Sequence, residues 1–528
     1  MQETTIKTNH VSGRLTRYAF YFFTALLVST YGWLHSVFGH WLTIEQIFFH
    51  FAIGLNGLKG FDNFLLIDAL RRVALPTVVT VAALYLAGAL WARLTVTKLF
   101  SSLITTPPIR LLTQPVRATW RVLAGLKFSI FLFLLTLVLF LYLTQVFHFI
   151  RVSLEGDHFT GLYHAPNVEA WSGKRPQKNL LLIYVESLER TMGNQEMMGV
   201  NALEPLQQLK GVEVNEFPTA PGTNWTIAGM LSSQCSIPLK PFFQNKFGRF
   251  ATHSFFPNAV CLSDVLKSVG YQQTFLVGHG LHYSGVGKFY HTHGFQQVLG
   301  REEWLARGID PSELSSWGSG LHDDALLAEA LRIIRSHDPK KGPFNLTLVT
   351  EDNHFPEGLP SPRCSDEDKA LGLPGVFRCN SRFVADFIAT LEREGYLKDT
   401  VVVVMGDHPF MSSAVQDVKY FREDRNVFFK LVSPTEPQPR RQTMTHFDVA
   451  PTVLDLLGLG QADHRFGLGI SLFADLNADE YAAHQRLVMS ESILSNSPTY
   501  DAFWMPRPAP AGATSVSVQG ASARAKPK

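Results

Sequence analysis

The chain has 528 residues, with 47 Lys+Arg against 45 Asp+Glu and a formal net charge of +2. So even a balance supplies no broad basic field, and nucleic acid is not expected as a partner. Charged residues make up 17% of the chain, against roughly 25% in an ordinary soluble domain. The deficit sits in the first 150 residues, which excludes a simple cytosolic globular protein.

That N-terminal part carries three long stretches without Asp, Glu, Lys or Arg: 27 residues between Arg17 and Glu45, 20 between Arg72 and Arg93, and 23 between Lys127 and Arg151. About 20 apolar residues cross the hydrocarbon core as a helix. Spanning helices are therefore predicted near 18–38, 73–93 and 128–149, within a membrane domain over 1–150. The segment 46–71 opens with QIFFHFAIGLNGL, too short to span, and reads as an interfacial or re-entrant helix. A cleaved signal peptide is not expected, because the first run is too long and no small-residue cleavage site follows it. Lys98, Arg110, Arg117 and Arg121 lie in the 94–126 loop, and Lys7, Arg14 and Arg17 in the N-terminal tail. This bias puts both on the cytoplasmic side and everything after 150 outside, although Arg71 and Arg72 oppose it.

Residues 151–178 read as a linker, and 179–490 as an extracytoplasmic catalytic domain. The apolar runs 179–186, 273–278, 344–350, 400–407 and 426–432 have the continuous hydrophobicity of strands covered on both faces, as in a mostly parallel α/β sheet. Stretches 376–396 and 447–460 have the 3.6-residue period of surface helices. The tail 504–528, rich in Pro, Ala and Ser, reads as disordered.

Ligand sites in open α/β sheets lie at the carboxyl ends of strands. Here the first run ends in Glu186, the 400–407 run leads into Asp407-His408, and the 344–350 run is followed by Glu351, Asp352 and His354. An apolar strand that ends in a charge places that charge at the rim. Several such rims on one edge suit a hard divalent cation. The segment TAPGTNWTIAGMLSSQC (219–235) passes from a small-residue loop into a helix-like stretch, with Thr226 at the junction. The Thr226 hydroxyl there is either a plain helix cap or a nucleophile activated beside a metal.

The order Y-V-E-S-L-E-R, G-T-N-W-T-I-A-G-M, D-N-H-F-P, G-D-H resembles the membrane-anchored phosphoglycerol transferases. These belong, with the lipoteichoic acid synthases, to the alkaline phosphatase and sulfatase superfamily. The stretches 222–239, 254–267 and G-L-H-D-D (320–324) are most similar to the enzymes that decorate osmoregulated periplasmic glucans. The resemblance implies a mixed, mostly parallel sheet sandwiched by helices. It also implies one metal ion, manganese or magnesium in most relatives and zinc in the phosphoethanolamine branch, held by Glu186, Asp407, His408 and Thr226. Thr226 would also be the nucleophile, with Thr223 as its rival, and His354 would sit beside the phosphate. At 278–290 the Trp and Arg that grip glycerol phosphate in lipoteichoic acid synthases have no counterpart, and His279, His282 and Lys288 are the substitutes expected, with Asn224 nearby. The resemblance further implies disulfides Cys235–Cys261 and Cys364–Cys379 in an oxidising compartment. With Cys235 bridged and no Cys-x-Pro-x-Arg motif, sulfate ester hydrolysis is not expected.

The implied activity is transfer of phosphoglycerol from phosphatidylglycerol to a hydroxyl of an extracytoplasmic glycan, through a glycerophospho-threonine, at the periplasmic face of a bacterial inner membrane. A phosphoethanolamine transferase or phosphodiesterase with the same core, and a scaffold with a vestigial site, are the competing readings.

Overall fold

The computed structural model describes residues 2–38, 67–96, 125–240, 254–315, 320–355, 357–410, 425–435 and 438–505. Among these, seven strands form one sheet in the order β2-β7-β6-β1-β5-β3-β4. They are β1 (Asn179–Val185), β2 (Val212–Glu213), β3 (Gln272–Val277), β4 (Gln297–Leu299), β5 (Phe344–Val349), β6 (Thr400–Gly406) and β7 (Phe429–Val432). The centre, β6-β1-β5-β3-β4, is parallel, and β7 and β2 add antiparallel pairings at one edge. All five apolar runs read as strands are strands. The two short edge strands β2 and β4 carry too few apolar residues to stand out in the sequence.

The continuous hydrophobicity has a direct structural cause. Along β1, Leu180, Leu182 and Tyr184 face one core cluster while Leu181, Ile183 and Val185 face another, and all six are fully buried. Each face is covered by helices, which is what lets parallel strands pair without a wet side. The helix predicted over 376–396 runs Leu373–Arg393, and the one predicted over 447–460 runs Val449–Leu456 after a 3-10 turn.

The N-terminal helices are α1 (Gln2–Phe38), α2 (Leu75–Val96), α3 (Leu126–Leu143) and α4 (Val146–Leu154). Among the described residues two helical stretches, Ile67–Leu90 and Leu126–Leu143, are long and apolar enough to cross a membrane, and only 6% of each is buried. Leu86, Leu134 and Val138 face outward, an arrangement that suits hydrocarbon and not water. The long helix α1, which carries the first expected span, packs on both through Tyr18–Tyr85 and Phe20–Phe133 ring contacts. The expected interfacial segment falls outside the described residues except for 67–71, which are helical.

Two segments join the fold more closely than their composition suggests. In the stretch expected as a linker, Phe159 and Trp171 are buried in the core, and Trp171 Nε1 donates to the Leu459 carbonyl at 2.7 Å. Phe159 packs on Tyr500 and Phe503. Trp504, the first residue of the expected tail, is buried against Phe255 and Phe256, while 506–528 lie outside the described residues.

Candidate active site

Strands β1 and β6 are neighbours, in a register that sets Val185 beside Gly406. The next residues on each strand are Glu186 and Asp407, followed by His408, and all three are buried. Their ligand atoms lie within 4.8 Å of one another. Both rims thus meet although 221 residues separate them in sequence (407 − 186).

The fourth member arrives on α5 (Thr226–Cys235). Trp225 is the N-cap residue of this helix and makes no side-chain cap bond, so the Thr226 hydroxyl is not spent on capping. It lies 3.4 Å from Glu186 Oε2 and 3.3 Å from His408 Nε2. The rival Thr223 is buried with its hydroxyl donating to the Ala220 carbonyl at 2.7 Å. Two contacts fix α5 in place. Tyr184 of β1 bonds Ser233 at 2.6 Å, and Gly229 sits so close to the Asp407 carbonyl that an added Cβ would lie 2.0 Å from that oxygen. The helix can approach only because residue 229 has no side chain.

The donor set is arranged as a cation would need it. His408 Nδ1 donates to the Pro409 carbonyl at 2.8 Å, which turns Nε2 toward Asp407 Oδ2 and Glu186 Oε1, each at 3.4 Å. Metal-binding histidines characteristically spend their second ring nitrogen on such a carbonyl. Asp407 Oδ1 accepts from the backbone N–H groups of Ser187 and His408, whereas the buried Oδ2 has no hydrogen-bond partner among the described residues. Burial, reinforced by Glu186, pushes the Asp407 carboxyl up to about 7. Burial alone would depress His408, but Asp407 and Glu186 outweigh it and hold its pKa raised. The cluster is short of positive charge. Two carboxylates, one imidazole and one hydroxyl converging on that deficit fit a divalent ion of the manganese, magnesium or zinc type.

A second group borders the first. His279 is buried, contacts Glu351 Oε1 through Nε2 at 3.3 Å and stacks edge-on with Tyr283. Burial, with a smaller push from nearby His354, holds His279 down at about 4, so the ring is neutral at pH 7. Tyr283 feels Glu186, Glu351 and Asp407, which with burial raise its pKa. His354 follows β5, its Nδ1 bonded to the Phe355 carbonyl at 2.9 Å. Asn224 lies two residues before Thr226 and lines a neighbouring pocket. His282 is exposed, and half-buried Lys288 lies on the helix Val286–Thr292, its pKa lowered by burial.

Further residues hold these groups in place. Asp352, one of the rim carboxylates, pairs instead with His322 at 2.9 Å and accepts from the Asp323 backbone N–H. Asp323 in turn accepts from the backbone N–H of Glu351 and Asp352. The G-L-H-D-D motif therefore braces the loop that carries Glu351 and His354. His446, which carries no sequence signal, bonds the Asp407 carbonyl through Nε2 at 2.7 Å, beside Gly229. Both disulfides, Cys235–Cys261 and Cys364–Cys379, are present; the first closes the C-terminal end of α5.

Residues 178–459 match the model of the Sulfatase family. The chain belongs to the sulfatase family. Within it, the chain is 34% identical over 345 residues to phosphoglycerol transferase I of Salmonella paratyphi B, aligning 62% of this chain with 43% of that protein. It is equally identical, over 342 residues, to phosphoglycerol transferase I of Escherichia coli O6:K15:H31. This sulfatase-family chain thus aligns with less than half the length of those relatives. Among solved structures it is similar to the lipoteichoic acid synthase LtaP from Listeria monocytogenes, with TM-score 0.47 and 17% identity over 60% of this chain and 81% of that one.

Proposed function

We propose that the protein is a membrane-anchored phosphoglycerol transferase, moving phosphoglycerol from phosphatidylglycerol to a hydroxyl of an extracytoplasmic glycan of the osmoregulated periplasmic glucan type. The observation that carries this reading is the Thr226 hydroxyl, uncommitted to capping and 3.3–3.4 Å from His408 and Glu186. Likeness to two phosphoglycerol transferases I supports the donor, and the apolar helices next to the domain support action at a bilayer surface.

When bound by Glu186, Asp407, His408 and Thr226, a divalent ion would neutralise phosphoryl charge and acidify the hydroxyl. Thr226 Oγ, entering deprotonated and leaving deprotonated in the second displacement, bonds to phosphorus, and the phosphorus–oxygen bond to diacylglycerol breaks. His354 supplies the proton that the departing alkoxide needs. A glycan hydroxyl then displaces Thr226 from the glycerophospho-threonine and passes its proton back to His354. Neutral His279 and Tyr283 wall the site without adding charge.

The test is mass spectrometry of the peptide containing Thr226 after incubation with phosphatidylglycerol or phosphatidylethanolamine. A glycerophosphate adduct, abolished in Thr226→Ala, is the expected result. An ethanolamine phosphate adduct would assign the donor to the competing transferase, and full transfer by Thr226→Ala would refute the nucleophile.

A further inference from the structure

A pocket of about 230 Å³ lies between the membrane-proximal helix α4 and the loop leading to Thr226. Gln145 and His148 line it from the membrane side, Asn224 and Trp225 from the loop, Pro409 from just beyond His408, and Leu494 from the C-terminal segment. Of these, Asn224, Trp225 and Pro409 lie one or two residues from Thr226 or His408, and Leu494 belongs to a segment tied to α4. The tie is firm. Ser492 Oγ donates to Glu155 Oε2 at 2.6 Å, and His158 N–H donates to Ser495 Oγ at 3.3 Å.

The chain turns sharply at this point. Gln145 takes the left-handed conformation, φ 62°, which ends the apolar helix α3 and starts α4 in a new direction. Phe147 and Ile150 of α4 are exposed, 48% and 46%, continuing the apolar surface of α3 to the pocket's edge. An amphipathic helix of this kind lies at the boundary of acyl chains and headgroups.

We infer that this pocket holds the glycerol backbone and ester groups of the phospholipid donor, the part that departs as diacylglycerol, while the acyl chains remain along α3 and α4. The inference rests on the lipid-donor reading above. Size supports it: cavities that enclose a whole drug-sized ligand measure roughly 300–1,000 Å³, so about 230 Å³ takes a fragment of a lipid and not the molecule. Wall chemistry agrees, since Gln145, His148 and Asn224 offer hydrogen bonds to ester oxygens while Leu494, Pro409 and Trp225 cover carbon. The headgroup, which stays on Thr226, is not recognised there.

The experiment uses the full chain in lipid nanodiscs and two variants that fill the pocket from different elements, His148→Trp on α4 and Glu491→Trp on the C-terminal segment, where Glu491 also lines the pocket. Each is assayed with phosphatidylglycerol and with its deacylated counterpart, glycerophosphoglycerol. The quantity read is the ratio of kcat/KM for the acylated donor to that for the deacylated one. A fall of about tenfold or more in both variants, with unchanged melting temperatures, is expected. An unchanged ratio, with the two donors falling together or neither falling, would overturn the assignment and point to an acceptor subsite or an inert cavity. If the wild type instead uses only phosphatidylethanolamine, the headgroup reading fails. The same ratio taken with that lipid and its deacylated form then decides the pocket separately.

Discussion

Gly229→Ala separates helix propensity from site geometry, because the two act in opposite directions. In a helix interior, alanine is favoured over glycine by about 1 kcal/mol. At residue 229 the added methyl would meet the Asp407 carbonyl oxygen at 2.0 Å and its carbon at 2.9 Å. Non-bonded heavy atoms are comfortable at about 3.5 Å, so α5 and the Asp407 loop must part by roughly 1.5 Å. Overpacking of this size costs about 1–3 kcal/mol, which outweighs the propensity gain. The Asp407 carbonyl is held by His446, and α5 is held by Tyr184 and the Cys235–Cys261 disulfide, so neither side yields easily. Thr226 is one turn from Gly229 and moves with it, away from His408. The expected outcome is a lower melting temperature and a manganese affinity weakened about tenfold, or about 1.4 kcal/mol, measured by calorimetry. Gly32→Ala in α1, where nothing among the described residues lies within 4 Å of the added carbon, is the control and should be neutral or stabilising. If Gly229→Ala melts higher than the wild type and binds manganese equally well, the close approach does not hold the site together.

A divalent ion that fills the charge deficit should stabilise the fold. At a hundred times its dissociation constant, manganese should add about 2.7 kcal/mol; a melting temperature that chelator leaves unchanged would argue against a resident ion. Cys364→Ser should cost about 3 kcal/mol from the 15-residue loop it opens, read by denaturant titration under oxidising conditions. Lys240 is buried, its Nζ donating to the Ser495 carbonyl and lying over the Phe159 and Tyr500 rings, and burial lowers its pKa to about 7. Because the folded value is below the unfolded one, folding releases a proton between about 7 and 10.5, so stability rises with pH across that window and is lower below it. Lys240→Met should remove that slope in pH-dependent melting, and an unaltered slope would place its origin elsewhere.

The sequence already determined the elements and their chemistry. Runs such as 180–185 and 401–405 are apolar on every residue because both faces of each strand are covered, and a charge can follow only where the strand leaves the core. Glu186 and Asp407-His408 were therefore legible as rim groups, and the charge-free runs of the first 150 residues as helices for hydrocarbon. What tertiary structure decided is adjacency. Strand order puts β1 beside β6, a pairing across more than 200 residues that no local pattern specifies. It also set Thr226 and Thr223 apart, because α5 brings one hydroxyl to Glu186 while the turn before it spends the other on Ala220. Asp352 has the same local signature as the rim carboxylates, yet it serves as a brace because His322 reaches it first. Phe159 and Trp504 sit in stretches whose average composition is loop-like, and a single buried aromatic contact leaves no periodicity to read. Their docking fixes where the N-terminal apolar helices meet the α/β domain, since burial depends on which surfaces meet and not on the composition of the segment that carries them.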